Sequence, residues 1–290
     1  MDPQFAGRIT IGQTLDRGTR LFARALKKTI LFFLIPALIM LWPMTRIAGS
    51  LPQVVRGNTG LPFDVSILLC FPMIFIEAWI VLITARYMFQ LSLGKDLSLT
   101  QMVRLAGIKD VVRIIITLFI MVAISLIGLM LALVPPIWYM AVYYSAKDSP
   151  GTVIAFLPMA AISCISVLLL VLFTWFTNNC IIGILVAAVE DGRYFAWYKR
   201  MCILCKKHWW KTAAINSIVL LIIIIPMAAI ASIPGFAGAA HDLPSTGQAA
   251  SLPSMIGILI SQIAEAVLLP LCMAICLVYY QYLRAEKENC

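Results

Sequence analysis

Charge is scarce in this chain. Only 12% of its 290 residues are Asp, Glu, Lys or Arg, about half the share found in soluble globular domains. That shortage excludes an ordinary water-exposed surface. Acids are scarcer than bases, 13 against 22, and there are two histidines. Little material therefore remains for a paired-carboxylate or histidine-based active site. No nucleophile motif, phosphate-binding loop or metalloprotease helix occurs. The net charge of +9 comes without a zinc finger, an RNA-recognition signature or a basic tail, so nucleic acid is not expected as a partner. The N-terminal stretch MDPQFAGRITIGQTLDRG is polar before it is apolar, which argues against a cleavable signal peptide and assigns targeting to the first membrane helix. Five of the eight cysteines, Cys70, Cys164, Cys180, Cys272 and Cys276, lie in apolar segments. They read as small packing residues, with no disulfides expected.

Apolar sequence fills the space. Hydrophobic residues make up 62% of the chain, and its mean hydropathy is +0.97. Six segments are each long enough for a bilayer core, which takes roughly 20 residues. They run over about 29–46, 63–91, 112–134, 152–188, 212–233 and 255–282. Pro36, Pro72, Pro158, Pro226 and Pro270 lie inside them, where neighbouring helices can satisfy the freed backbone groups. The expected fold is all-α: one integral membrane domain over 1–290, its six transmembrane helices arranged as three hairpins.

The basic residues set the orientation. They gather before the first segment, between the second and third, in the stretch VEDGRYFAWYKRMCILCKKHWWK (189–211), and after the sixth segment. Of the 22, only Arg46, Arg56 and Lys147 fall in the other set of loops. The positive-inside rule then puts both termini and all the basic stretches in the cytoplasm. The opposite loops are rich in Gly, Pro and Ser and read as irregular connections.

Each hairpin is preceded by a basic stretch, at 10–28, 98–110 and 193–210, predicted as a cytoplasmic amphipathic helix. In the first, Ile11, Leu15, Phe22, Ala25 and Leu26 share one side, with Arg17, Arg20, Arg24, Lys27 and Lys28 on the other. In the third, Phe195, Tyr198, Met201, Cys202, Cys205 and Trp209 share an arc opposite Lys199, Arg200, Lys206, Lys207 and Lys211. Such helices can lie with apolar sides in acyl chains and basic sides toward phosphates, and Trp209 and Trp210 suit the headgroup level. Capping-box spacing marks two helix starts, Thr10 to Gln13 and Ser98 to Gln101. The middle stretch is less amphipathic and could pack against protein instead.

Three stretches, IGQTLDRGTRLFARALKKTILFFL, AAVEDGRYFAWYKRMCILCKKHWWKT and LVYYQYLRAEKE, resemble the bacterial six-helix proteins related to the membrane domain of glycerophosphoryl diester phosphodiesterase, and the YciC-like family. On that resemblance Glu190, Gly192, Ala196, Arg200, Trp210, Tyr279, Tyr280 and Arg284 match motif positions, whereas Gln281 stands where an Asp is usual. The resemblance implies a bacterial inner-membrane module without the soluble barrel domain that carries the phosphodiesterase chemistry.

Ionisable groups inside a membrane are costly and are candidate sites. Glu77 lies in the second segment, Glu265 in the sixth, and Asn178 and Asn179 in the fourth, one polar site per returning helix. They either converge on a polar cavity or each make one interhelical hydrogen bond. Cys202, Cys205 and His208 suggest a metal site but lack the second ligand pair that zinc requires, since His241 falls in an outside loop. No metal or cofactor is expected. Glu190 and Asp191 read as a helix cap rather than a catalytic dyad.

The expected function is a non-catalytic accessory or scaffolding subunit. It would engage anionic lipid or a membrane partner through Arg17, Arg20, Arg24, Lys27, Lys28, Lys199, Arg200, Lys206, Lys207, Trp209 and Trp210. The alternatives are a small transporter or channel using Glu77 and Glu265, and an enzyme acting on lipid headgroups.

Overall fold

The computed structural model describes residues 9–55, 65–145, 164–169, 171, 181–190, 196–231 and 252–288. The described residues include the helices α1 (Ile11–Val55), α2 (Val65–Ser92), α3 (Leu99–Arg104), α4 (Ile108–Ser145), α5 (Ala196–Cys205), α6 (Trp209–Ala231) and α7 (Leu252–Glu288). Residues 164–169 and 181–189 are also helical, and no strand occurs among the described residues. Among the described residues, four stretches are long and apolar enough to cross a membrane: Pro72–Ser92, Ile108–Gly128, Trp209–Ile230 and Leu259–Glu288. Large apolar side chains on α4 and α6 point outward, among them Phe119, Val122, Ile127, Leu221 and Ile225. A surface of that kind is stable against lipid rather than water.

Both capping boxes form. The Thr10 hydroxyl accepts from the Gln13 amide at 3.2 Å, and the Gln13 side chain accepts from the Thr10 amide at 2.9 Å. Ser98 and Gln101 repeat the exchange at the start of α3. At the end of α2, Gly94 takes a φ of +80°. The Lys95 amide donates to the Gln90 carbonyl and the Gly94 amide to the Leu91 carbonyl, both at 3.0 Å. This is a Schellman stop, in which a left-handed residue lets the chain fold back onto the last open carbonyls.

Three expected boundaries change. Residues 10–28 do not form a separate interfacial helix; they are the first part of α1, which runs without a break into the first apolar segment. No glycine or proline lies between Gly18 and Pro36 to stop it. The stretch 98–110 divides at Leu105–Gly107 into α3 and the beginning of α4. In 193–210, α5 ends at Cys205 and Trp209 already opens α6.

The core is built around α7, where every residue from Cys272 to Leu283 is buried. α1 packs along α7 more extensively than any other pair of helices, and α1 also packs on α2, α6 on α7, and α2 on α4. Gly18 permits the closest approach: a Cβ there would lie 2.6 Å from the Ile275 Cα. Leu21 and Ala25 are buried in the same contact. The apolar side of the N-terminal stretch is therefore covered by protein, not by acyl chains. The same correction applies to α5, whose inner face is Trp197, Met201, Leu204 and Cys205, while Tyr198 and Cys202 are exposed. Trp197 turns inward because Gly183 leaves room for its ring; a Cβ on that glycine would meet the indole at 2.8 Å. Sequence periodicity finds a buried face but does not say whether lipid or protein buries it.

Candidate functional site: the charged end of the bundle

Helix 181–189 ends with carbonyls that need donors. Two arginines from other helices supply them. Arg86 of α2 donates through Nε to the Ala188 carbonyl at 2.8 Å, and Arg113 of α4 donates through Nη2 to the Ala187 carbonyl at 2.5 Å. Positive charge at a helix C-terminus also complements its dipole. Asp110 lies between the two guanidinium groups, 2.8 Å from Arg86 and 3.7 Å from Arg113. Arg86 donates as well to the Leu105 carbonyl, in the break between α3 and α4. One carboxylate and two arginines thus bind α2, α4 and the end of 181–189 together. Arg86 and Arg113 counted only as topology signals in the sequence. The clue to their structural role was a guanidinium within the first or last two turns of a largely apolar helix.

Beyond Ala188 the chain reaches Glu190. Its Oε1 accepts a 2.6 Å hydrogen bond from the Tyr280 hydroxyl, and Arg200 pairs with it at 3.2 Å. Glu190 is thus a bridging acid rather than a helix cap; Asp191 lies outside the described residues. Arg200 also reaches Glu288 at 3.4 Å, and Arg284 pairs with Glu288 at 2.8 Å. Residues quoted from two separate motif stretches, Glu190 and Arg200 with Tyr280 and Arg284, meet here. Beside them the Tyr279 hydroxyl lies 3.0 Å from the Thr212 hydroxyl, and Gln281 donates to Ser92. His208 pairs with Glu286 at 2.9 Å, and Lys211 donates to the Ile9 carbonyl.

The expected contact residues divide. Arg20 pairs with Asp16 on its own helix, and Lys28 bridges to Asp96 at 2.6 Å and to the Leu97 carbonyl at 2.9 Å. Hydrogen bonds from Lys28 and Tyr87 hold the Asp96 carboxyl below the usual carboxylate range. Arg17 is half-buried and is not without a partner. Arg24, Lys27, Lys199, Lys206 and Lys207 are exposed, and none has an ion pair among the described residues. Trp209 and Trp210 stack with ring centroids 3.9 Å apart, and Trp210 is 71% exposed.

Cys202, Cys205 and His208 do not assemble a metal site. Cys205 is buried, which pushes its thiol up to about 11, Cys202 is exposed, and His208 is engaged with Glu286. No group of three metal-ligating side chains occurs among the described residues. Glu77 and Glu265 come from α2 and α7, both exposed on the bundle surface, and lie close enough to interact electrostatically. Asn178 and Asn179 lie outside the described residues.

Comparisons of the chain with protein-family models, curated proteins and solved structures return no match.

Proposed function

We propose that the chain is a non-catalytic inner-membrane module of six spans in three hairpins, related to the YciC-like proteins, with its charged end in the cytoplasm. It serves as an accessory or scaffolding subunit that organises anionic lipid and docks to a membrane partner. The observation that carries this is the sorting of its cations. Arg86, Arg113, Arg200, Arg284 and Lys28 are bound to acids of the same chain, whereas Arg24, Lys27, Lys199, Lys206 and Lys207 are exposed, the last two shortly ahead of the exposed Trp210 in the chain. Outward Lys and Arg at the end of membrane helices attract anionic headgroups, each contributing about 1 kcal/mol near the surface. The non-catalytic assignment rests on Asp96, Asp110, Glu190, Glu286, Glu288 and His208 each being engaged in a bridge between segments. Gentle-detergent purification from native membranes, with mass spectrometry of co-eluting proteins and lipids, tests it. The expected result is retained anionic lipid or a stoichiometric membrane partner, released as salt rises; association indifferent to salt and lipid charge would reject it.

One observation favours a second reading. The proximity of Glu77 and Glu265 across α2 and α7 suits a small transporter or channel that handles a proton or cation within the membrane. Proton- or cation-dependent flux in proteoliposomes, abolished by Glu77→Gln, would move the assignment there.

A further inference from the structure

The outward cations fall into two groups with different surroundings. Arg24 and Lys27 lie partway along the unbroken helix α1. Lys206 and Lys207 occupy the turn between α5 and α6, immediately before the stacked Trp209–Trp210 pair. From the second group we infer that the α5–α6 elbow is a discrete binding site for the phosphate of an anionic lipid headgroup.

The elbow lies at headgroup depth because of the helix that follows it. Trp209–Ile230 is a 22-residue membrane-capable stretch, which at about 1.5 Å per residue spans a hydrocarbon core of about 30 Å. The residues just ahead of it therefore lie where phosphates are. On α5, Lys199 and Ile203 lie at helical spacing along the exposed side, Lys206 follows in the turn, and Tyr198 is also exposed. A bound lipid would meet ammonium groups from Lys206 and Lys207 at its phosphate, and the Trp210 ring and Ile203 at its glycerol and upper chains. Tryptophan favours this boundary because one part of its ring is apolar and its N–H is polar. Glu286 is engaged with His208, the residue between Lys207 and Trp209. Arg24 and Lys27 have no comparable aromatic platform and supply diffuse attraction.

This site rests on the anionic-lipid reading above and locates it. The full-length protein is purified in mild detergent with added phosphatidylglycerol or phosphatidylcholine, and retained lipid is counted by native mass spectrometry. Lys206→Gln/Lys207→Gln is compared with Arg24→Gln/Lys27→Gln, with helical circular dichroism verifying the fold of each. Expected is preferential retention of phosphatidylglycerol by the wild type, weakened roughly 30-fold at low salt in the elbow variant and clearly less in the α1 variant, which loses only diffuse attraction. Inorganic phosphate should compete poorly, because it has no glycerol or chain to contact Trp210; competition at equal concentration would overturn a lipid site in favour of a simple phosphate site. Equal losses in the two variants, or loss in neither, would overturn the elbow while leaving the general lipid reading standing. No preference for phosphatidylglycerol in the wild type would overturn both.

Discussion

Two clusters at the charged end use the same chemistry at different depths. In each, one carboxylate is shared by two arginines: Asp110 between Arg86 and Arg113, and Glu288 between Arg200 and Arg284. The first is largely enclosed, its Arg113 side chain only 8% exposed, and its arginines also serve helix-end carbonyls. The second stands with about a third of each side chain in solvent. Removing one partner from an enclosed group leaves an uncompensated charge away from water, whereas solvent screens an exposed pair. Shared chemistry therefore does not mean shared importance. The enclosed cluster holds three segments in place, and the exposed one adjusts the end of α7.

The largest expected effect tests that contrast directly. Asp110→Ala should cost about 3–5 kcal/mol, measured by SDS titration of the detergent-solubilised protein with circular dichroism. A loss no larger than that of Glu288→Ala would break the comparison. Tyr280→Phe comes next, because the Tyr280 hydroxyl donates to Glu190. It should cost about 1.5–3 kcal/mol in the same titration, the range for a hydrogen bond to a charged group, and a neutral result would show that Arg200 alone satisfies Glu190. Glu288→Ala should cost less than about 1 kcal/mol, and the difference from wild type should vanish in high salt. The smallest effect concerns Asp96, an exposed acid whose carboxyl pKa is depressed by Lys28 and Tyr87. Its contribution is fully present above the unfolded carboxylate value of about 3.9 and is lost as pH falls through the lower folded value. Asp96→Asn should accordingly narrow the gap in thermal stability between neutral and strongly acidic solution. An unchanged gap would mean the bridge contributes nothing.

Local signals were legible in the sequence. Thr10 with Gln13 and Ser98 with Gln101 announced their helix starts because a capping box needs only three residues of separation. Apolar length likewise marked the four membrane-capable stretches found among the described residues, which fall in the second, third, fifth and sixth of the six expected segments. The bridging acids were not legible: Asp110 meets Arg86 from 24 positions away, and Tyr280 meets Glu190 from 90. No spacing rule links such positions. Periodicity identified the apolar side of 10–28 but not its cover, which is α7. It also misjudged the inner side of α5, because the space that accepts Trp197 is made by Gly183 on another segment. The motif stretches quoted around Glu190 and Tyr280 did contain residues that meet, although nothing in the sequence said that they meet each other.

The burial of α7 from Cys272 to Leu283 has a consequence in time. A chain emerges from the ribosome N-terminus first, so the helix at the centre of this bundle is made after every helix that packs on it. Until it enters the bilayer, the Gly18 groove of α1 has no occupant, and Glu190 and Arg200 wait for Tyr280 and Glu288. The earlier segments must therefore persist as a loose, centreless intermediate during biogenesis. A nascent chain halted before Cys272 would present that unfinished interior to membrane chaperones and proteases, whereas one halted inside the α1–α2 region would not yet have an interior to expose.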